Sequence, residues 1–99
     1  PTIYAVNAEI SHALLARLPS RSVCQNLQEA WAKRRYEAHF VSKLSDSDAE
    51  NRETGTCLDF SKDCGYITEA EHARLTAECS EIGRMLGAMI HNPKKFLLF

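Results

Sequence analysis

No stretch of this sequence is apolar over the roughly 20 residues that a membrane-spanning helix needs, so a transmembrane role is not indicated. The first residues lack the charged start and apolar core of an export signal. Four cysteines are present, but none forms a Cys-x-x-Cys pair, which weakens any case for a structural zinc site. Without an export signal they read as reduced thiols of a cytoplasmic protein. No Gly-rich phosphate loop occurs, and no Ser or Cys nucleophile has a recognisable base nearby in sequence. Neither sign of charge dominates. Twelve basic residues against 13 acidic ones leave a net charge of −1, so a polyanionic partner would have to be met by a local patch. Strand-like alternation is missing, as are repeats and low-complexity tracts.

What remains is helical periodicity. Leu75, Cys79, Ile82, Leu86 and Met89 follow one another at the four-three spacing of a helical seam that must lie against another helix. Thr68 with Glu71 three residues on is a capping box that starts this helix, and Asn92-Pro93 ends it. An earlier helix is predicted from about Tyr36 to Asp63. Phe40, Val41 and Leu44 begin its stripe, and Cys57, Leu58 and Phe60 end it. Between them, residues 45–56 are strongly polar. The favoured reading is a helix with a polar buried face; a loop dividing the helix is the other. Gly65 suits the stop. Upstream, Ser20 is expected to cap a helix carrying Val23, Cys24, Leu27, Ala30 and Trp31, with Lys33-Arg34-Arg35 at the following corner. A first segment from about Thr2 to Leu18 places Ile3, Val6, Ile10 and Leu14 near one face, with Pro19 interrupting it. The tail Phe96-Leu97-Leu98-Phe99 is expected to fold back or to meet a partner. A chain of 99 residues is one domain, and short loops between long helices favour an all-α, up-down antiparallel bundle.

Two stretches carry a family resemblance. One runs from Ser22-Val23-Cys24-Gln25-Asn26-Leu27-Gln28-Glu29-Ala30-Trp31 to Leu44. The other begins Asp63-Cys64-Gly65-Tyr66-Ile67-Thr68-Glu69-Ala70-Glu71 and continues into Ile82-Gly83-Arg84-Met85-Leu86-Gly87-Ala88-Met89-Ile90. Together they resemble the bacterial proteins encoded in intervening sequences of 23S ribosomal RNA genes. The resemblance covers about Ser20 to Phe96. It implies an antiparallel four-helix bundle and assembly into a homo-oligomer, a pentameric ring. A related branch, the accessory protein of diversity-generating retroelements, resembles a basic barrel that binds nucleic acid and a partner reverse transcriptase. The resemblance implies no enzymatic activity. This chain departs from the pattern in three ways. Residues 1–19 are short for the first helix and match it poorly. Gly55 and Ser61 replace stronger helical or apolar residues. The overall charge is slightly acidic.

Lys33, Arg34 and Arg35 form the one dense basic run, which Arg84 and also Arg21, Lys43, Lys94 and Lys95 would extend if the fold brought them together. Such a patch would contact phosphates of RNA or DNA, with Trp31 or Tyr36 placed to stack. A solvated corner between helices is the plainer reading of a three-residue run. Two Glu-x-x-His pairs, Glu9 with His12 and Glu69 with His72, have the spacing used in di-iron bundles, with Glu29, Glu50 or Glu53 as further carboxylates. Glu69, however, falls in a first helical turn, where acidic residues favour the positive dipole end. No metal or other cofactor is therefore expected. The cysteines read as small buried hydrophobes, and Trp31, Tyr36, Phe40, Tyr66 and Phe96 as core or interface anchors. The leading expectation is a non-enzymatic scaffold that self-associates and binds nucleic acid. The alternative is an adaptor for another protein, without nucleic acid.

Overall fold

The computed structural model describes residues 17–97, and among these it contains three α-helices and no strand. Helix α1 spans Arg17–Ala32, α2 spans Glu37–Asp63 and α3 spans Glu69–His91; a 3-10 turn, Pro93–Phe96, follows. The all-α expectation holds. The expected first helix, from Thr2, lies almost wholly outside the described residues.

Pro19 lies within α1; the segment it was expected to interrupt lies almost wholly outside the described residues. Ser20 is accordingly not a cap but a buried residue of the helix.

Residues 45–56 are helical throughout, and the inward stripe of α2 is Phe40, Leu44, Ser47, Asn51, Thr54, Leu58 and Ser61. Its polar members are each bonded. Ser47 Oγ donates to the Val23 carbonyl of α1 at 2.8 Å, and Asn51 Nδ2 donates to the Cys79 carbonyl of α3 at 2.9 Å. Thr54 and Ser61 donate back to Glu50 and Cys57 within α2. A buried hydroxyl or amide without a partner costs 1–3 kcal/mol or so, so these bonds are what make a polar stripe tolerable. The stripe steps from Leu58 to Ser61, which leaves Phe60 out of phase and 58% exposed, contrary to its expected place at the end of the buried stripe.

The α2–α3 connection is short and fully hydrogen-bonded. Tyr66 N–H donates to the Ser61 carbonyl and Gly65 N–H to the Lys62 carbonyl, satisfying carbonyls that the helix end leaves over. Gly65 sits at φ +76°, a backbone conformation that a Cβ opposes. The capping box then starts α3. Glu71 N–H donates to Thr68 Oγ1 at 3.1 Å, and Thr68 N–H donates to Glu71 Oε1 at 3.0 Å. That backbone donor, with the Thr68 hydroxyl second, holds the Glu71 carboxyl below its ordinary pKa. The α3 seam buries Leu75, Cys79, Ile82 and Leu86, while Met89 is half-buried. Phe40, Leu44, Leu58 and Leu86 form the fully enclosed centre of the core.

Neighbouring helices run antiparallel. Ser47 meets Val23 while Lys43 meets Glu29, and Asn51 meets Cys79 while Asp59 meets His72. In each pair the position falls on one helix as it rises on the other. Helices α1 and α3 both pack on α2 but scarcely touch each other, so no α-helix among the described residues covers the side opposite α2. No helix among the described residues is long and apolar enough to cross a membrane.

Candidate nucleic-acid interface

Lys33, Arg34 and Arg35 form the turn between α1 and α2, as the sequence suggested. The turn is closed by backbone bonds from Lys33 N–H to the Glu29 and Ala30 carbonyls and from Tyr36 N–H to the Lys33 carbonyl. All three cations follow the C-terminus of α1, where the negative end of the helix dipole favours them. Arg34 is held in a fixed pose. Its guanidinium carbon lies 3.8 Å from the Trp31 ring centre, and its Nε donates to the Trp31 carbonyl at 2.9 Å. Arg34 thus both caps the helix and stacks on an aromatic face. Next to it, Tyr36 is 60% exposed and its ring lies 5.7 Å from that of His39 at a tilt.

The antiparallel pairing brings the end of α3 to the same end of the bundle. The 3-10 turn that follows contacts both α2 and α3, and carries Lys94 and Lys95, both exposed. Phe96 and Leu97 hold this turn against the core, so the described part of the apolar tail folds back. Two separate segments therefore place five cations around one end, with the exposed rings of Trp31 and Tyr36 between them. Among the described residues, this is where the basic expectation has geometric substance.

Arg84 does not join that group. It lies seven positions before His91 on α3, about 10 Å down the helix from its end, and its guanidinium is paired with Glu81 of the preceding turn. Lys43 is also removed from the patch. It forms an ion pair with Glu29 at 2.7 Å, which holds the Glu29 carboxyl below and the Lys43 ammonium above their ordinary pKa values. Arg21, near the other end of α1, stays apart.

The remaining sequence candidates resolve differently. His72 Nε2 lies 2.7 Å from Asp59 Oδ1 and links α3 to α2. Glu9 and His12 lie outside the described residues. No group of three or more His, Cys, Asp or Glu among the described residues is placed to hold a metal ion. Cys24 and Cys79 are buried as expected, whereas Cys57 is half-buried and Cys64 exposed. Burial pushes the Cys79 thiol up to about 11 and also raises Cys24 and Cys57. Cys79 lines a cleft between α2 and α3 with Asn51, Arg52, Thr76 and Ser80, where burial disfavours its thiolate. Glu50, in the acidic stretch of α2, is raised by burial and by its neighbour Glu53. Phe40 is fully buried and Phe96 half-buried, while Trp31, Tyr36 and Tyr66 lie at the surface. A groove between α1 and α3 is lined by Leu27, Gln28, Trp31, Ala32 and Met89.

Sequence reasoning missed the Arg34–Trp31 stack, although the three-residue spacing at a helix end was available as its signal. Asn51, only 7% exposed, belongs to the polar buried face that the sequence suggested for residues 45–56. No curated protein and no solved structure matches the chain. The family model described as 23S rRNA-intervening sequence protein does match it, over residues 16–88, a span that takes in the three helices nearly whole, and the chain therefore belongs to that family.

Proposed function

We propose that this protein is a non-enzymatic helical-bundle scaffold that self-associates in the cytoplasm and binds RNA or DNA through the end built from Lys33, Arg34, Arg35, Lys94 and Lys95. The observation that carries the reading is the convergence of two sequence-distant basic segments on one end of a chain whose net charge is −1. Charges gathered in this way neutralise phosphates and release counterions, which the whole-chain balance alone would not achieve. The side opposite α2, which no α-helix among the described residues covers, supports the four-helix reading. The apolar spacing of Ile3, Val6, Ile10 and Leu14 suits a fourth helix lying between α1 and α3. Assembly into a ring would multiply one modest patch per subunit by multivalency.

Neutralising Lys33, Arg34 and Arg35 to alanine is expected to weaken binding and to flatten its salt dependence by up to about three in slope. Fluorescence anisotropy at two salt concentrations measures both. Binding unchanged in strength and in slope would remove this end from the interface. Light scattering on the eluted protein tests self-association, and a monomer would end the ring reading.

The groove lined by Leu27, Trp31, Ala32 and Met89 supports the second reading, an adaptor that grips another protein. Capture of a partner that survives nuclease treatment, with no nucleic acid bound, would favour it.

A further inference from the structure

We infer that the basic end is built for single-stranded nucleic acid rather than duplex, with Tyr36 and the Arg34 guanidinium as stacking surfaces; this rests on the nucleic-acid reading above. Two observations carry it. The first is what lies among the cations. Tyr36 is 60% and Trp31 48% exposed, directly beside Lys33, Arg34 and Arg35. Aromatic faces are of no use to a protein that meets only the phosphates of a duplex, whose bases are stacked inside. They are what unstacked bases lie on. Arg34 is held over the Trp31 ring, both by the ring contact and by its bond to the Trp31 carbonyl. Trp31 takes one side of the guanidinium, and a base would stack on the other. The bond to the helix end means that this pose exists before any ligand arrives, so little rotamer entropy remains to be lost.

The second observation is shape. The bundle is about 19 × 18 Å in cross-section by its Cα extents, and its basic end is formed by two tight turns. Among the described residues no helix or two-stranded ribbon projects from that end to enter a major groove, which is how folds of this size read duplex DNA. A strand of a few nucleotides, by contrast, can cross the end from the Lys33–Arg35 turn to Lys94 and Lys95. Its phosphates would meet the lysines, and its bases Tyr36 and Arg34. Contacts of this kind use ring faces and phosphates and leave base edges unread, so the sequence preference is weak.

The chain has one tryptophan, and it is in the site, so its emission reports occupancy directly. Full-length protein is titrated with oligouridine, with oligothymidine and with a duplex of the same length at one salt concentration. Single strands are expected to quench Trp31 and to bind at least about tenfold tighter than duplex. Tyr36→Ala should weaken single-strand binding about tenfold, in line with one lost stacking contact, while Tyr36→Phe restores it and duplex binding is unmoved. Tighter oligouridine than oligothymidine binding identifies RNA as the source, and the reverse identifies DNA. Duplex bound as well as single strands, without quenching, overturns this inference and leaves nucleic-acid binding standing. No binding of any of the three overturns both.

Discussion

Asn51 and Gly83 should be energetically coupled, and the coupling can be worked out in advance. Asn51 is buried in the middle of α2, and its amide reaches across to the Cys79 carbonyl of α3 at 2.9 Å. A Cβ built on Gly83 would come within 3.2 Å of that same amide nitrogen. The glycine therefore makes room for the cross-helix bond. Asn51→Ala removes a net hydrogen bond of about 1 kcal/mol. The Cys79 carbonyl keeps its own helical N–H, so no orphaned acceptor adds to the cost. Gly83→Ala by itself gains about 1 kcal/mol of helix propensity. It also displaces the Asn51 amide, at a similar cost, so the single variant is expected to be close to neutral. With Asn51 already alanine there is nothing to displace, and the same substitution should gain its full value. The double-mutant cycle then shows a coupling of about 1 kcal/mol. Urea unfolding followed by helical circular dichroism reads this as a shift in midpoint at constant slope. Thermal melts should show it as about 4–8 °C, the usual shift per kcal/mol for a domain this size. Strict additivity of the two substitutions would refute the argument, because it would mean that the amide does not occupy the space the glycine leaves.

Four further outcomes follow from the local chemistry. Thr68→Ala should cost about 1 kcal/mol by removing the cap of α3. Because the Glu71 carboxyl is held below its ordinary pKa by the Thr68 backbone and hydroxyl, its contribution is complete above the ordinary value and is lost as pH falls through the lowered one. Glu71→Gln should therefore flatten the acid limb of a plot of melting temperature against pH, and an unaltered limb would count against the box. Gly65→Ala, forced to φ +76°, should destabilise by about 1 kcal/mol in urea; a stabilised variant would contradict the left-handed turn. In a thiol-labelling time course Cys64 should react first and Cys57 later. Cys24 and Cys79 should react only on unfolding, since they are buried and Cys79 is raised to about 11. Native-state labelling of Cys79 at the rate of Cys64 would show that the α3 seam opens.

The long helices were legible because their signals are local. The Thr68–Glu71 box, the stop at Gly65, the α3 seam and the corner at Lys33-Arg34-Arg35 each depend on residues within a turn or two of one another. Polar residues 45–56 were legible as helix, and the four-three step from Phe40 and Leu44 to Leu58 passes through Ser47, Asn51 and Thr54, but the sequence does not show where Ser47 and Asn51 find their partners. Those partners are carbonyls on α1 and α3 that are distant in sequence. Ser20 was read as a cap because a proline stands before it, whereas both residues lie inside α1. The candidate interface was half legible. The turn cations were visible, but the arrival of Lys94 and Lys95, and the separation of Arg84, follow from antiparallel pairing. Phe60, Tyr36 and Trp31 were expected among buried or interface residues on hydrophobicity alone, which does not settle the phase of a single ring on a helix.

The packing of α1 and α3 on α2, with scarcely a contact between them, bears on how the chain acquires its structure. Among the described α-helices each interface joins neighbours in the chain, so they form two hairpins sharing one strut, with the 3-10 turn closing back on α2. No closure of a long loop has to precede the first stabilising contacts, which is the circumstance in which folding is fast. Either hairpin can form first, with α2 as the common template, and the order is then open to adjustment by substitutions in α1 or α3 alone. Damage to α2 offers no such alternative, because it removes the surface on which both routes begin.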